Sequence, residues 1–284
     1  MIELVNFEKW IKAAHSIFEI FEGRFDAYPI SRRWIEEWYT GGYFDITKSD
    51  IARLNKLKEN FDYSAFGIND INFQERVNSQ FYKLIEILNK NKIYRNIGFG
   101  VAPYLFTWNF KRFKKYFEIR NNFDLIQYFQ DLGSFFNNLK SKLKNFSKKK
   151  IYSCKIDEEG ARRIFNEVNK KLKALGIKRN EPVGVAKLLH IFAPYYFPLI
   201  DNSIAEAIGL KQQRKSLNVD KYIQWMRSLK NWIGSYNEEK IREIENQYGE
   251  SILKLIDEGL YIMSSVNLSL RIKLMGLDIE SYGR

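Results

Sequence analysis

The sequence has very little cysteine, histidine and proline: of 284 residues, one is cysteine, two are histidine and five are proline. The single Cys154 excludes an intramolecular disulfide framework and any cysteine-based zinc or iron–sulfur site within one chain. With only His15 and His190, a histidine metal centre or a Ser-His-Asp triad has little to build on, and we expect no metal and no cofactor. The 45% hydrophobic and 28% charged residues indicate a folded globular protein.

Long apolar runs are missing as well. The longest apolar-looking stretch, Leu188 to Ile200, is interrupted by His190 and two prolines and is shorter than the roughly 20 residues that a membrane-spanning helix needs. The segment from Met1 to Lys9 carries acidic side chains early and lacks the basic-then-apolar order of a signal peptide. We therefore expect a soluble, cytoplasmic protein without a transmembrane segment.

Apolar residues recur at helical spacing along nearly the whole chain. The clearest pattern, which we call the seam, repeats over three heptads in steps of four and three residues: Leu125, Phe129, Leu132, Phe136, Leu139, Leu143 and Phe146. A long helix packed in a bundle explains the seam better than an intermolecular coiled coil, which usually needs more heptads. The spacing predicts an all-α, multi-helix bundle.

The clearest break in composition is the basic run Lys148-Lys149-Lys150. It predicts a boundary between an N-terminal helical region, residues 1–147, and a C-terminal helical region, residues 148–284. Two helical lobes with a cleft between them are one arrangement that such a boundary allows.

Positive charge is concentrated in the middle of the chain. Between Val101 and Lys150, eleven lysines and arginines stand against three acidic residues, a net +8 out of the +12 of the whole chain. Such a surplus favours a polyanionic partner or an anionic membrane surface. The same segment is aromatic, with seven rings that we expect in one helix: Tyr104, Phe106, Trp108, Phe110, Phe113, Tyr116 and Phe117.

A helical projection at about 100° per residue separates two faces of this segment. The buried face carries Phe106, Phe110, Phe113 and Phe117. The opposite face carries Trp108, Lys111, Arg112 and Lys115. A ring on which a base stacks, beside cations that contact phosphates, is typical of a nucleic-acid site. We therefore expect this face, together with Lys148, Lys149 and Lys150, to bind nucleic acid; the alternative is that Trp108 packs against a neighbouring helix beside a solvated basic face.

A second informative segment spans residues 180–209. It contains Pro182-Val183-Gly184-Val185, a helix carrying Lys187, a turn marked by two prolines, and Asp201 at the start of a second helix that ends at Gly209. This order of elements resembles part of the helix-hairpin-helix DNA glycosylase superfamily, over about 30 of the 284 residues. The hairpin here keeps one of the family's two glycines, and the interval of 14 residues from Lys187 to Asp201 is shorter than the family's usual spacing.

The resemblance implies a hairpin that binds the DNA backbone and two catalytic side chains. Lys187 would be the nucleophile that attacks the sugar carbon, and Asp201 the acid that stabilises the developing positive charge. Burial among leucine and isoleucine side chains would help Lys187 to lose its proton. Taken from the residues alone, Asp201 is also explained as a helix N-cap, worth about 1 kcal/mol, and Lys187 as a surface lysine. His190 is expected to pack or to hydrogen-bond a carbonyl.

Two functions of different classes follow from these patterns. The first is a nucleic-acid-binding protein, with DNA glycosylase/lyase activity as its enzymatic form. The second is a non-catalytic helical protein that holds a partner protein, within a nucleoprotein complex, through the seam or through exposed aromatic residues. Basic helices that lie on an anionic membrane surface are a third, minor interpretation. Whether the protein is an enzyme stays open at this level.

Overall fold

A computed structural model describes residues 4–23, 26–61, 63, 66–120, 122–210 and 217–264 of the chain. Within these residues the protein has thirteen α-helices and one short two-stranded antiparallel sheet. The predicted all-α, multi-helix fold is confirmed. None of the helices described there is both long and apolar enough to cross a membrane.

The elements follow one another with short connections. The first part of the chain contains α1 (Leu4–Phe21), α2 (Tyr28–Gly41), β1 (Phe44–Asp45), α3 (Lys48–Glu59), α4 (Ile71–Lys90), β2 (Ile93–Tyr94), α5 (Ile97–Trp108), α6 (Phe110–Ile119) and α7 (Leu125–Ser147). The second part contains α8 (Glu158–Leu175), α9 (Pro182–Phe192), α10 (Asn202–Ala207), α11 (Val219–Ile233), α12 (Glu238–Tyr248) and α13 (Ile252–Ser264). The two strands pair antiparallel, with Phe44 opposite Tyr94.

Polar side chains set the start of several helices. Thr47 opens α3 through a capping box: its hydroxyl accepts a hydrogen bond from Asp50 N (3.2 Å), and the Asp50 carboxylate accepts one from Thr47 N (2.7 Å). Asp70 caps α4 and Asn218 caps α11, each with a side-chain oxygen that accepts from backbone N–H groups. These caps satisfy donors that have no partner inside the helix.

The described residues fall into two compact units. The terminal unit comprises residues 4–23, 145–166, 185–210 and 217–264, and the central unit comprises residues 26–61, 63, 66–120, 122–144 and 167–184. This division differs from the predicted regions 1–147 and 148–284, because α1 packs against α13 and so joins the start of the chain to its C-terminal part. The predicted break at the basic run lies near only one crossing between the units, within α7.

The core of each unit is rich in aromatic rings. In the central unit, the Phe106 ring stacks on Phe81 with centroids 4.8 Å apart, and Phe61 meets Phe110 edge-on at 4.6 Å. In the terminal unit, Phe7 stacks on Tyr236 with centroids 4.6 Å apart. Offset and edge-on pairs of this kind stabilise a core beyond the area that they bury.

The seam lies in α7, and all seven of its side chains are buried, none more than 7% exposed. The expected long, packed helix is therefore what the chain forms. The seam as a docking surface for a partner protein is a wrong prediction, because packing inside the chain already covers its apolar side chains.

The aromatic segment forms two helices instead of the single predicted one. α5 ends at Trp108 and α6 begins at Phe110, because the backbone of Asn109 leaves the helical region (φ −121°, ψ 23°). Asparagine favours helix ends, where its side chain competes with helical hydrogen bonds. Asn109 N donates to Leu105 O (2.9 Å) at the end of α5, and Asn109 O accepts from Arg112 N (2.8 Å) at the start of α6. The predicted buried stripe is confirmed, each ring being at most 1% exposed: Phe106, Phe110, Phe113 and Phe117.

Candidate functional site

The stretch that carries Lys187 and Asp201 lies in the terminal unit. Lys187 is a half-buried residue of α9, and a tight turn follows that helix. His190 stabilises the turn, since its buried ring places Nδ1 2.8 Å from Phe197 O. The expectation that this histidine packs and hydrogen-bonds a carbonyl is confirmed.

The second part of the turn is held by side chains of α11. The Tyr222 hydroxyl donates to Pro198 O (2.9 Å), and Trp225 Nε1 donates to Leu199 O (2.9 Å). Both bonds are buried, and buried bonds of this kind are costly to break. The backbone immediately before Asp201 is therefore held in place from α9 and from α11.

Asp201 is the N-cap of α10. Its Oδ1 accepts a hydrogen bond from Ile204 N (2.7 Å), and its backbone is extended, as an N-cap requires. The residue is half-buried. Because the capping bond uses one carboxylate oxygen, capping is compatible with a further role for the other oxygen.

A third residue, Asp257 on α13, connects Lys187 with Asp201. α10 packs against α13, and burial of the Asp257 carboxyl, the largest influence, raises its pKa to about 7. The charges of Asp201 and Lys187 also reach this carboxyl, Asp201 raising its pKa and Lys187 lowering it. The two residues singled out from the sequence thus lie within electrostatic range of one carboxyl group. We call Lys187, Asp201 and Asp257 the lysine–aspartate cluster.

The cluster combines groups that covalent catalysis uses. A lysine amine is a nucleophile once it has lost a proton. A carboxyl whose pKa lies near neutrality accepts and donates protons efficiently at physiological pH. A second carboxylate stabilises a positive charge that develops beside it.

Reasoning from the sequence missed Asp257. The signal that could have found it is the sequence of α13, where three charged residues lie in a helix of otherwise mostly apolar side chains: Lys254, Asp257 and Glu258. Charged side chains are rarely buried unless they are paired, so a charged triplet on such a helix indicates partners elsewhere in the fold.

The two other charged residues of α13 form a buried ion-pair network. Lys254 and Glu258, with side chains 5% and 2% exposed, pair at 3.0 Å, and Glu258 Oε2 lies 2.7 Å from His15 Nδ1 on α1. The hydrogen bond with Glu258 is the largest influence that raises the pKa of His15. Burial opposes the ionisation of Glu258, but Lys254 and His15 together hold its pKa below its ordinary value.

One group of donor atoms among the described residues has the spacing of a metal site. His15, Glu19 and Glu258 each offer one atom, and these atoms lie within 4.8 Å of one another. The Lys254 ammonium on Glu258 opposes a cation there, because it already brings positive charge to the same carboxylate. We therefore assign no metal to this group.

The basic residues predicted to bind nucleic acid differ in their surroundings. On α6 of the central unit, Lys111 and Lys115 are exposed. Arg112 instead pairs with Glu181 (Nε to Oε2, 3.4 Å), whose side chain is 1% exposed and which also accepts a hydrogen bond from the Tyr116 hydroxyl. Burial is the main influence that raises the pKa of Glu181, and Arg112 counteracts it. Arg112 thus has a structural role in the central unit.

Trp108 also has a structural partner. The residue is half-buried, and its indole N–H donates to Asp26 Oδ1 at 2.7 Å. The alternative interpretation, in which this tryptophan packs within the fold, is therefore partly realised. Any stacking by Trp108 would use the part of the ring that stays exposed.

The basic run lies in the terminal unit. Lys148 is exposed, whereas Lys149 Nζ lies 5.2 Å from the centre of the Phe146 ring. Lys150 pairs with the buried Glu245 at 2.6 Å. Of the residues predicted to bind nucleic acid, the exposed ones are Lys111, Lys115 and Lys148.

Comparison with family models, with curated proteins and with solved structures finds no match to this chain. The grounds for a function are therefore the chemistry of the lysine–aspartate cluster and the charge of the exposed surface. Both can be probed directly with substitutions that leave the core untouched.

Proposed function

We propose that this chain is a DNA-binding enzyme of the cytoplasm that removes a base from DNA and then opens the sugar through a Schiff base, as a glycosylase with lyase activity does. The observation that carries the proposal is the lysine–aspartate cluster, in which Lys187 and a helix-capping aspartate both act on a third carboxyl. The resemblance of residues 180–209 to the helix-hairpin-helix DNA glycosylase superfamily favours the same activity.

The chemistry needs one nucleophile and one stabilising charge. The neutral amine of Lys187 attacks C1′ of the target nucleotide, the bond from C1′ to the base breaks, and its electron pair leaves with the base. The new amine then expels the ring oxygen, which gives a Schiff base between Nζ and C1′. The Asp201 carboxylate stabilises the positive charge that develops on the sugar.

Exposed lysines supply the second requirement, a surface for the phosphate backbone. Lys111, Lys115 and Lys148 lie in the segment that carries a net +8. When lysines neutralise phosphates, counterions are released, so the affinity for DNA falls steeply as salt rises. The proposal therefore includes a salt-dependent interaction with DNA.

The deciding experiment is borohydride trapping with a DNA duplex that contains one abasic site. The open form of an abasic sugar presents an aldehyde, so a lysine amine forms the Schiff base without prior removal of a base, and borohydride reduces it to a stable adduct. We expect an adduct that peptide mass spectrometry maps to Lys187 and that Lys187→Ala abolishes. Lys12→Ala removes an exposed lysine of the same unit and should leave the yield unchanged.

The outcome decides between two functions. A wild-type protein that forms no adduct, or an adduct that Lys187→Ala leaves intact, contradicts the lyase activity. If the adduct forms at Lys187, release of free base from duplexes with oxidised, deaminated or alkylated bases identifies the substrate class.

A non-catalytic interaction protein is the second candidate. The seam is buried, but some large apolar side chains of the central unit are exposed, among them Ile71 (62%) and Ile119 (61%). The exposed aromatic Tyr82 is 54% exposed and carries Lys58 Nζ 3.2 Å from its ring centre. Absence of both the adduct and salt-dependent DNA binding would favour this candidate.

A further inference from the structure

We infer that Asp257 takes the proton from the Lys187 ammonium and is thereby a third catalytic group of the lysine–aspartate cluster, a role that rests on the proposed function. A lysine is protonated at neutral pH, and its lone pair attacks a carbon only after a nearby base has removed a proton. Asp201 is already a helix cap, with Oδ1 committed to Ile204 N. Asp257 is therefore the better base.

The position of Asp257 supports this role. It lies on α13, against which α10 packs, and the charges of both Lys187 and Asp201 reach its carboxyl. Asp257 is half-buried, so it keeps some exposure although its carboxyl is largely withdrawn from water. A base in such a place is shielded from bulk solvent without being sealed from a substrate.

The other charged groups around α13 are engaged elsewhere. Lys254 pairs with Glu258 at 3.0 Å, and His15 from α1 lies 2.7 Å from the other oxygen of Glu258. From α12, Glu245 accepts a hydrogen bond from the backbone of α13 and pairs with Lys150. Glu258 raises the pKa of Asp257 and Lys254 lowers it, as Asp201 and Lys187 do respectively.

The proton inventory of the reaction closes with Asp257 as carrier. Its carboxylate takes one proton from the Lys187 ammonium, and the freed lone pair forms the bond from Nζ to C1′. As the bond from C1′ to the base breaks, the departing base takes the electron pair, and Asp257 returns the proton to it. On an abasic aldehyde the same proton goes to the hydroxyl that leaves as water when the Schiff base forms. Burial raises the pKa of Asp257 to about 7, which suits a group that takes and returns a proton near neutrality.

The test compares wild type, Asp257→Asn and Asp257→Glu in the borohydride trapping reaction with the abasic duplex, over a range of pH. General acid–base catalysis contributes roughly 100-fold or more, so Asp257→Asn should slow trapping by about 100-fold near neutral pH. The variant should regain rate as pH rises, because Lys187 then loses its proton to solvent, whereas the wild-type rate levels off once Asp257 is ionised. Asp257→Glu, which keeps a carboxyl, should recover part of the rate.

A purely electrostatic role gives the opposite sign. Removal of a negative charge lowers the pKa of a neighbouring ammonium, so Asp257→Asn would then raise the neutral fraction of Lys187 and accelerate trapping. Reductive methylation with formaldehyde and cyanoborohydride, followed at Lys187 by mass spectrometry without DNA, reads that pKa separately. We expect the methylation midpoint of Lys187 to move to lower pH in Asp257→Asn, while adduct formation becomes slower.

Three results overturn the inference. Trapping that is as fast or faster in Asp257→Asn reduces Asp257 to an electrostatic neighbour, and an unchanged methylation midpoint means that its charge does not act on Lys187. In both of these cases the wild-type adduct at Lys187 leaves the proposed function standing. Absence of any wild-type adduct overturns the proposed function and the role of Asp257 together.

Discussion

Trp108 donates its indole N–H to Oδ1 of Asp26, over 2.7 Å and across 82 positions of the chain. The acceptor is 4% exposed, and the same oxygen accepts a second bond from Tyr28 N at 2.7 Å. The tryptophan that stands out in the basic segment therefore helps to satisfy a buried carboxylate of the central unit. Its ring and its N–H group have separable roles, because stacking on a base uses only the ring.

We expect Trp108→Phe to separate these roles. Phenylalanine keeps an aromatic face but lacks the N–H donor, so Asp26 loses a partner in a buried place and the free energy of unfolding should fall by about 1–3 kcal/mol. Binding to single-stranded DNA should change little, whereas Trp108→Ala should weaken it by about 1–3 kcal/mol. Urea unfolding and fluorescence anisotropy measure the two effects. If Trp108→Ala binds DNA as tightly as Trp108→Phe, the ring does not stack on a base.

The contribution of phosphate contacts should appear in the salt dependence of DNA binding. Lys111→Gln/Lys115→Gln removes two exposed charges without touching the pair between Arg112 and Glu181. If each lysine contacts one phosphate, the slope of log affinity against log salt should become shallower by about two. Lys83→Gln/Lys92→Gln, an equal loss of exposed charge in the same unit, is the matched control. Equal slopes in both double variants would show that net charge alone matters.

The fold was predictable because its strongest signals are local. The spacing of the seam predicted α7, and the cap at Asn218 predicted the start of α11, since both depend on residues within one or two helical turns. The division at Asn109 was not predictable from apolar periodicity, because the helical pattern of phenylalanines continues on both sides of that single residue. The phenylalanine stripe was nevertheless correct, since both helices bury it.

The candidate site was only partly predictable, because it depends on distant contacts. Lys187 and Asp201 belong to one short segment, and their order along the chain carries the resemblance to a known family. Asp257 joins them only through the packing of α10 against α13, which no local pattern specifies. The pairing of Arg112 with Glu181 has the same origin, and it explains why a side chain placed on a basic surface by helical projection also has a structural role.

Two substitutions at Asp201 distinguish capping from catalysis. Asparagine caps helices as well as aspartate does, so Asp201→Asn should leave the free energy of unfolding unchanged, whereas Asp201→Ala should lower it by about 1 kcal/mol. Both variants lose the carboxylate charge and should slow the trapping of the abasic duplex to a similar extent. Urea unfolding and the trapping rate are the two measurements. Full activity in Asp201→Asn would leave Asp201 as a cap alone.

The stability of the terminal unit should depend on pH through α13. The hydrogen bond with Glu258 raises the pKa of His15, so the stability that the protonated histidine contributes is present below its ordinary value of about 6.5 and is lost as pH rises through the raised pKa. Burial raises the pKa of Asp257 to about 7, and for the same reason its contribution declines as pH rises through that value. Glu258 acts in the opposite direction: because its pKa is lowered, its contribution is lost only under acidic conditions.

Urea unfolding should therefore show a lower free energy of unfolding at about pH 8.5 than at about pH 6. His15→Gln removes the group that titrates on α1 and should reduce this difference, and Asp257→Asn should reduce it independently. The Glu258 carboxylate keeps its pair with Lys254 in both variants, so the helix has a charged partner for its buried ammonium throughout. A pH dependence that neither variant alters would mean that other groups control it and that the ionisation of α13 is not coupled to folding.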